Sequence, residues 1–380
     1  MWWLLFGLLA LGPAAFIFLY MKRCSKKAWP TKVDNDFKPR ISIIVPTYNE
    51  SSIITFKLVN LSRLKYPKDL SQVLVVDSNS SDDTVEIVRR FSEKTQSNIR
   101  ILVEKERKGK SHALNYALQH STGDVVIVSD ADCFWPSDIL EKALPFLADQ
   151  GVGVIGGPKI LLNSGQNWVT RLEAGFLKSA NSLRLGESKA GSTLFYEGGF
   201  IAFKREAIDR FDPYGTGSDD NGTVIRTVEK NLKAMHVPEA KFYTTFSSSF
   251  RGRLSIKLRR TTQLVLLFAV YFKLLAKGKV KSTKTTVIPN VLLYLFSPLA
   301  FVAFMIMTVF VAASFPYIML FLLLLLIPKV RFYSYEILES NLLLVAGILG
   351  AVTGKSFSVW NQPEDRVFLN ENALNRFNLI

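Results

Sequence analysis

From residue 41 onward, short β-branched runs alternate with amphipathic stretches, a rhythm that few architectures can accommodate. Residues 41–46, 73–77, 101–104 and 125–129, with a further run near 152–155, read as strands. Residues 52–64, 83–93 and 111–119 carry apolar side chains at helical spacing between them. This alternation predicts an α/β domain, Rossmann-like, with a mostly parallel sheet covered on both faces by helices. Open sheets of this kind bind ligands beyond the carboxyl ends of their strands. The run Val125-Val126-Ile127-Val128 delivers Ser129-Asp130-Ala131-Asp132 to that edge. Carboxylates one residue apart can share a hard divalent cation, and such a cation can neutralise a diphosphate.

The apolar residues, 48% of the chain, gather at its two ends. Residues 2–20 are uncharged and long enough to span a bilayer, and Lys22-Arg23 follows them. A signal peptide has the opposite order, with positive charge before the apolar run, so a retained anchor with its basic side in the cytosol is expected. The chain then divides into an anchor over 1–27, an α/β domain over 28–250 that opens on a linker over 28–40, a basic interfacial amphipathic segment over 251–286, membrane helices over 287–355 and a cytosolic tail over 356–380. Within the membrane part, 287–314 is the clear span, 316–327 a second, and 341–352 a short apolar segment. The net charge of +15 points to membrane lipids as partners: the basic clusters lie beside apolar segments, and without a nucleic-acid module no nucleic acid is expected. Cys24 and Cys133 make no disulfide framework or zinc spacing, and the three histidines have no metal-ligand spacing.

Three further segments offer polar groups to the same sheet edge. The first strand runs into Pro46-Thr47-Tyr48-Asn49-Glu50, and the second ends at Asp77 before a turn-like Ser80-Ser81-Asp82-Asp83. Arg107-Lys108-Gly109-Lys110 opens a helix in the manner of a phosphate-binding loop, without the glycine spacing of a P-loop.

In this order, Pro46 to Glu50, Asp77 to Thr84, Gly109-Lys110 with Ala113-Leu114-Asn115, and Asp130-Ala131-Asp132 resemble the family-2 glycosyltransferases over roughly residues 41–260. These are inverting enzymes of the GT-A fold, and the cellulose and hyaluronan synthase-like and polyprenyl-phosphate groups are related to them. The resemblance implies that Thr47, Glu50, Asp77 and Lys110 face the nucleotide of a UDP- or GDP-sugar. It places Asp130 by the diphosphate, also as a metal ligand, and Asp132 on Mg²⁺ or Mn²⁺. It sets Tyr196-Glu197-Gly198-Gly199 at the acceptor site, with Gly198 and Gly199 letting backbone approach the ligand. In Ser218-Asp219-Asp220, followed by Pro238-Glu239-Ala240, it makes Asp220 the general base with Asp219 beside it.

One departure bears on the acceptor. Processive synthases of this group carry Gln-x-x-Arg-Trp on an interfacial helix, whereas this chain has Lys257-Leu258-Arg259-Arg260-Thr261, keeping the arginine alone. Arg259 and Arg260 are expected either at a diphosphate or snorkelling beside anionic lipid. The expected protein is an integral enzyme of the cell membrane with its catalytic domain in the cytosol. It would move a sugar to a lipid-linked or saccharide acceptor, and a processive polysaccharide synthase is the alternative.

Overall fold

The structure is a computed structural model describing residues 2–95, 98–280, 283–354 and 371–380. In chain order the elements are α1 (Trp2–Cys24), β1 (Ile41–Thr47), α2 (Ile54–Ser62), β2 (Ser71–Asp77), α3 (Thr84–Thr95), β3 (Ile99–Val103), α4 (Lys110–Gln119), β4 (Val125–Val128), α5 (Ile139–Ala143), β5 (Val152–Gly156), β6 (Lys159–Leu161), α6 (Trp168–Ala190), β7 (Ile201–Lys204), α7 (Asn221–Glu229), β8 (Lys233–His236), β9 (Phe242–Thr244), α8 (Phe250–Ala276), α9 (Lys284–Val291), α10 (Ser297–Ser314), α11 (Pro328–Val352) and α12 (Glu371–Asn375). A seven-stranded sheet runs β3-β2-β1-β4-β7-β5-β8. β1 pairs in parallel with β2 and β4, β2 with β3, and β5 with β8, while β7 is antiparallel to both of its neighbours.

Alternation of side chains along β1 to β4 sends Ile43, Val45, Val75 and Ile127 into one core with α2 and Trp135. Ile44, Leu74, Val76, Val126 and Val128 enter the other, with Leu114 of α4 and Phe268 and Tyr271 of α8. The basic segment expected at the membrane interface therefore also roofs the sheet, because its apolar stripe meets strand side chains. The chain order reverses between β1 and β4, and that crevice is where such sheets bind ligands.

Among the described residues, three helices are long and apolar enough to cross a membrane: Trp2–Cys24, Lys284–Ser314 and Pro328–Val352. The first and second lie side by side, with Trp3 Nε1 donating to Thr308 Oγ1 (2.9 Å) and Ser297 Oγ to the Leu9 carbonyl (3.1 Å). The second span expected over 316–327 and the short apolar segment expected over 341–352 take other forms. Pro316–Leu326 winds as a 3₁₀ helix, and 341–352 is the second half of α11. Glu336 and Glu339, which interrupt the apolar pattern, sit inside α11 because they face Arg253 and Lys257 of α8. Gly347 of α11 lies against Thr261, so the two helices run in the same direction. The base of α1 meets α6 at Gly186, where an added Cβ would fall 2.1 Å from the Met21 carbonyl oxygen.

The 28–40 stretch rests on the domain. Trp29 packs edge-on to Phe146 (5.0 Å), and the Lys32 N–H donates to Asp149 (2.9 Å). Leu374, Leu379 and Ile380 return to bury themselves with Ile53 and Phe134. Residues 356–370 of the expected tail lie outside the described residues.

Candidate active site

The parallel register sets Thr47 beside Asp77 at the tips of β1 and β2. Asp77 is fully buried, and its carboxylate accepts from Thr47 Oγ1 (3.2 Å), Ser80 Oγ (2.5 Å) and the Ser80 N–H (2.8 Å). It thus fixes the turn beneath the binding surface. Thr47, Tyr48, Glu50, Ser78 and Arg107 line the cavity above it, with the Arg107 guanidinium 3.7 Å from the centre of the Tyr48 ring. Asp82 accepts from the Thr84 and Ser51 N–H groups, the turn role expected of it.

Lys110 opens α4 and points into the cavity, with Nζ 2.6 Å from Asp130 Oδ1 and 3.0 Å from Asp219 Oδ2. It joins the end of β4 to the loop before α7, segments almost ninety residues apart. Burial alone would neutralise it, but Asp130, Asp219 and Asp220 hold its pKa well above the ordinary value. Burial would likewise raise Asp130, and Lys110 instead keeps it below the ordinary carboxylate range.

Asp220 caps α7. Its Oδ1 accepts from Ser218 Oγ (2.6 Å) and the Asn221 N–H (2.7 Å), and its Oδ2 from the Gly198 N–H (3.1 Å). The helix-cap and site readings of this residue are therefore compatible. A Cβ at Gly198 would sit 3.3 Å from Asp220 Oδ2 and 3.4 Å from Asp130 Oδ2, so the two carboxylates flank one glycine. Burial, and then Asp219, raise Asp220 to about 6.

Gly199 plays a different part from Gly198. At φ +108°, its position lies where side chains are strained, and a Cβ would strike Phe242 and the Cys133 sulfur. Its carbonyl accepts from Trp135 Nε1 (2.7 Å) and Ser129 Oγ (3.2 Å), so it anchors the loop that follows β4.

Sequence reasoning missed two residues that hold this loop from behind. On α2, Lys57 falls on the buried stripe with Ile54, Leu58 and Leu61, and a lysine there is the signal that could have found it. Its Nζ donates to Ser129 Oγ (2.6 Å) and the Cys133 carbonyl (2.5 Å), and burial lowers its pKa to about 8. One turn on, Asn60 accepts from the Trp135 N–H (2.9 Å) and donates to the Trp135 (2.7 Å) and Leu379 (2.6 Å) carbonyls. Phe134 and Trp135 are fully buried and serve as packing.

The loop brings an oxygen of Asp130, one of Asp132 and the Cys133 sulfur within 4.8 Å of one another. Burial, reinforced by Asp132, pushes the Cys133 thiol well up, so it stays protonated. The two carboxylates suit a hard divalent cation.

The cavity, about 890 Å³, runs from these acids along α8 to α1 and α11. Arg259, Arg260, Lys159 and Glu197 line it. Arg260 pairs with Glu197 (3.1 Å), which also holds Arg184 (2.9 Å). Burial would raise Glu197, but Arg260 and Arg184 keep it at about 2. Burial and the adjacent Arg260 lower Arg259 to about 10. Arg260 thus reaches a buried carboxylate of the domain, and Arg259 lies beside it on the cavity wall. His236 is buried and its pKa is pushed down to about 3, while His112 pairs with Glu104 (2.5 Å).

The mixed sheet, its acidic carboxyl edge and the flanking helices define the GT-A class of nucleotide-binding folds. The family model for glycosyl transferase family 2 matches residues 42–211. The mannosyltransferase PcManGT of Pyrobaculum calidifontis, solved with GDP-Man and Mn²⁺, is 30% identical and superposes with a TM-score of 0.78 over 93% of this chain and 99% of that one. The chain belongs to glycosyltransferase family 2. The glycosyltransferase AglE of Haloferax volcanii is 37% identical over 119 residues, 31% of this chain and 39% of that protein. A beta-monoglucosyldiacylglycerol synthase of Trichormus variabilis is 33% identical over 135 residues, 35% of this chain and 29% of that one. The chain spans about a third to a half of the length of the curated relatives it matches.

Proposed function

We propose that this chain is a membrane-anchored inverting glycosyltransferase that moves a sugar from a nucleotide sugar to a lipid-linked or saccharide acceptor. The observation that carries this reading is the meeting of Asp130, Asp219 and Asp220 around Lys110 and Gly198 in one cavity that continues to the apolar helices. Its volume is of the order that encloses a nucleotide-sized ligand. The PcManGT complex with GDP-Man and Mn²⁺ supports a nucleotide-sugar donor.

In this reading, Thr47, Glu50 and Ser78 receive the nucleoside over the turn that Asp77 fixes, and Lys110, Lys159 and Arg259 face the diphosphate. Asp130 and Asp132 would hold Mn²⁺ or Mg²⁺, which when bound offsets charge on the leaving nucleoside diphosphate. The acceptor oxygen attacks the anomeric carbon from the side opposite the diphosphate, so one displacement inverts the configuration. Asp220 takes the proton of an acceptor hydroxyl, and a carboxylate with a pKa of about 6 is ionised for that task at neutral pH. Lys22 and Arg23 in the last turn of α1 support a cytosolic domain at the inner face of the cell membrane.

The test is a panel of UDP-, GDP- and dTDP-sugars with Mn²⁺, with free nucleoside diphosphate measured. Asp132→Ala and Asp220→Asn are each expected to lower turnover by about two orders of magnitude or more. Turnover of no donor, or near-normal rates in both variants, would remove the reading.

A further inference from the structure

The cavity that takes in Asp130, Asp132 and Asp220 also reaches the apolar helices, and its two halves differ in chemistry. The far half is lined by Leu11, Ala14 and Phe18 of α1, Leu264 of α8, and Ile337 and Leu343 of α11. None of these side chains can make a hydrogen bond. Two polar neighbours on the same walls are engaged with their own helices. Thr261 Oγ1 donates to the Leu258 carbonyl (2.9 Å), and Asn341 Nδ2 to the Ile337 carbonyl (2.8 Å). A saccharide threaded along these six residues would leave hydroxyls without partners, a cost that a hydrocarbon chain does not meet.

This half also lies at bilayer depth. Ala14 precedes Lys22 by eight residues, about 12 Å along a spanning α1, inside a hydrocarbon half-thickness of about 15 Å. α1 packs on α6, α9 and α10, and α11 on α8 and α10, so the cavity occupies the seam between α1 and α11. Leu11, Phe18 and Ile337 on that seam are 38%, 46% and 43% exposed, so packing does not seal it. Inward, the apolar lining continues to Phe195, whose ring is backed by the Arg184 guanidinium (4.3 Å). Phe195 stands three residues before Gly198, whose N–H meets Asp220 (3.1 Å). Lipid that merely coats the outer faces of the helices would need no such path into the domain.

We propose that one hydrocarbon chain of a lipid acceptor enters between α1 and α11, lies along Leu264 and Phe195, and presents its hydroxyl to Asp220. The inference rests on the glycosyltransferase reading and selects a lipid over a free saccharide as acceptor. The donor arrives from the opposite end, over Thr47 and Asp130, and Asp130 and Asp220 flank Gly198, where the two paths meet. The hydroxyl oxygen bonds to the anomeric carbon. The bond from that carbon to the diphosphate oxygen breaks with its electron pair on the nucleoside diphosphate, and the hydroxyl proton passes to Asp220.

The experiment uses the full chain in nanodiscs of phosphatidylcholine and phosphatidylglycerol, with a trace of hexadecanol carrying a mid-chain diazirine. After illumination, adducts are located by peptide mass spectrometry, and the donor panel with Mn²⁺ is run on the same preparation. Adducts are expected at Leu264 and Phe195 as well as at Leu4, Leu8 and Leu19, exposed residues of α1 that do not line the cavity. Excess plain hexadecanol is expected to remove the inner adducts at least tenfold more effectively than the outer ones, because only the inner site saturates. Ala14→Trp and Leu343→Trp, which fill the seam, are expected to cut the inner adducts at least tenfold while the Kd for GDP or UDP with Mn²⁺ stays within twofold. Absence of inner adducts, inner adducts that do not saturate, or inner adducts that persist in both folded variants would overturn the inference. Should neither variant fold, saturation in the unaltered chain decides alone. A donor turned over without inner adducts removes the inference and leaves the enzyme reading standing. Inner adducts without turnover of any donor remove the enzyme reading, and the acceptor role falls with it.

Discussion

The raised pKa of Asp220 turns its proposed role into a pH profile. With a pKa of about 6, roughly 0.9 of the carboxylate is ionised at pH 7 and roughly 0.1 at pH 5. If the ionised form is the base, kcat/KM falls about tenfold between those values and about tenfold per unit below them. Asp219 is the second cause of the elevation after burial, and Lys110 opposes it. Asp219→Asn should therefore move the acid limb to lower pH, and Lys110→Met should move it higher, each by an amount read directly from the curve. Asp220→Asn keeps the volume of the cap but removes the proton acceptor, an expected loss of about 10²–10⁴ in rate with the acid limb abolished. The assay is the initial rate of nucleoside diphosphate release at saturating Mn²⁺ and varied donor, from pH 4.5 to 8. An acid limb that persists unchanged in Asp220→Asn, or one that ignores both neighbouring substitutions, would refute the reasoning.

Three other substitutions probe the scaffold. Gly186→Ala places a Cβ against backbone at Met21, where no side chain can swing away, so a loss of roughly 1–3 kcal/mol is expected; a lowered melting temperature with earlier proteolytic release of α1 would register it. Asn60→Ala strands the Trp135 N–H and two carbonyls, at a cost of about 2–4 kcal/mol in urea denaturation, with a raised donor KM as the catalytic loop loosens. Glu197, held at about 2 against an ordinary 4.5, adds stability that is fully present above pH 4.5 and lost as pH falls toward 2. Its size is roughly 3 kcal/mol, and Glu197→Gln should flatten the fall of melting temperature over that window.

The strands up to β5 were legible because each is a compact β-branched run with its polar residues at one end. β6 to β9 were not, since each is three or four residues long and none is a β-branched run. The long helix α6 was hidden by its polar composition: its buried face includes Glu173, Arg184 and Glu187, residues that a pattern of apolar positions passes over. Its start is clear only in structure, where Asn167 and Thr170 make a reciprocal capping box. At the site, the acids on strand tips were readable because strand ends point to the ligand edge. Lys57, Asn60 and Glu173 depend on tertiary neighbours from the loop after β4, α8 and the far end of the chain, and local spacing does not encode these. Pairing of Glu336 and Glu339 with α8 likewise explains why a spanning-length helix could carry charge and still be mistaken for a shorter one.

Asn60 and Leu379 meet across 319 positions, which sets an order on biosynthesis. The carboxylate loop after β4 leaves the ribosome early, whereas the carbonyl that completes its clamp is translated only after α9, α10 and α11. A nascent domain therefore waits with one of Asn60's three bonds unmade until the later helices have been translated. A chain stalled before residue 379 leaves the loop's mooring open.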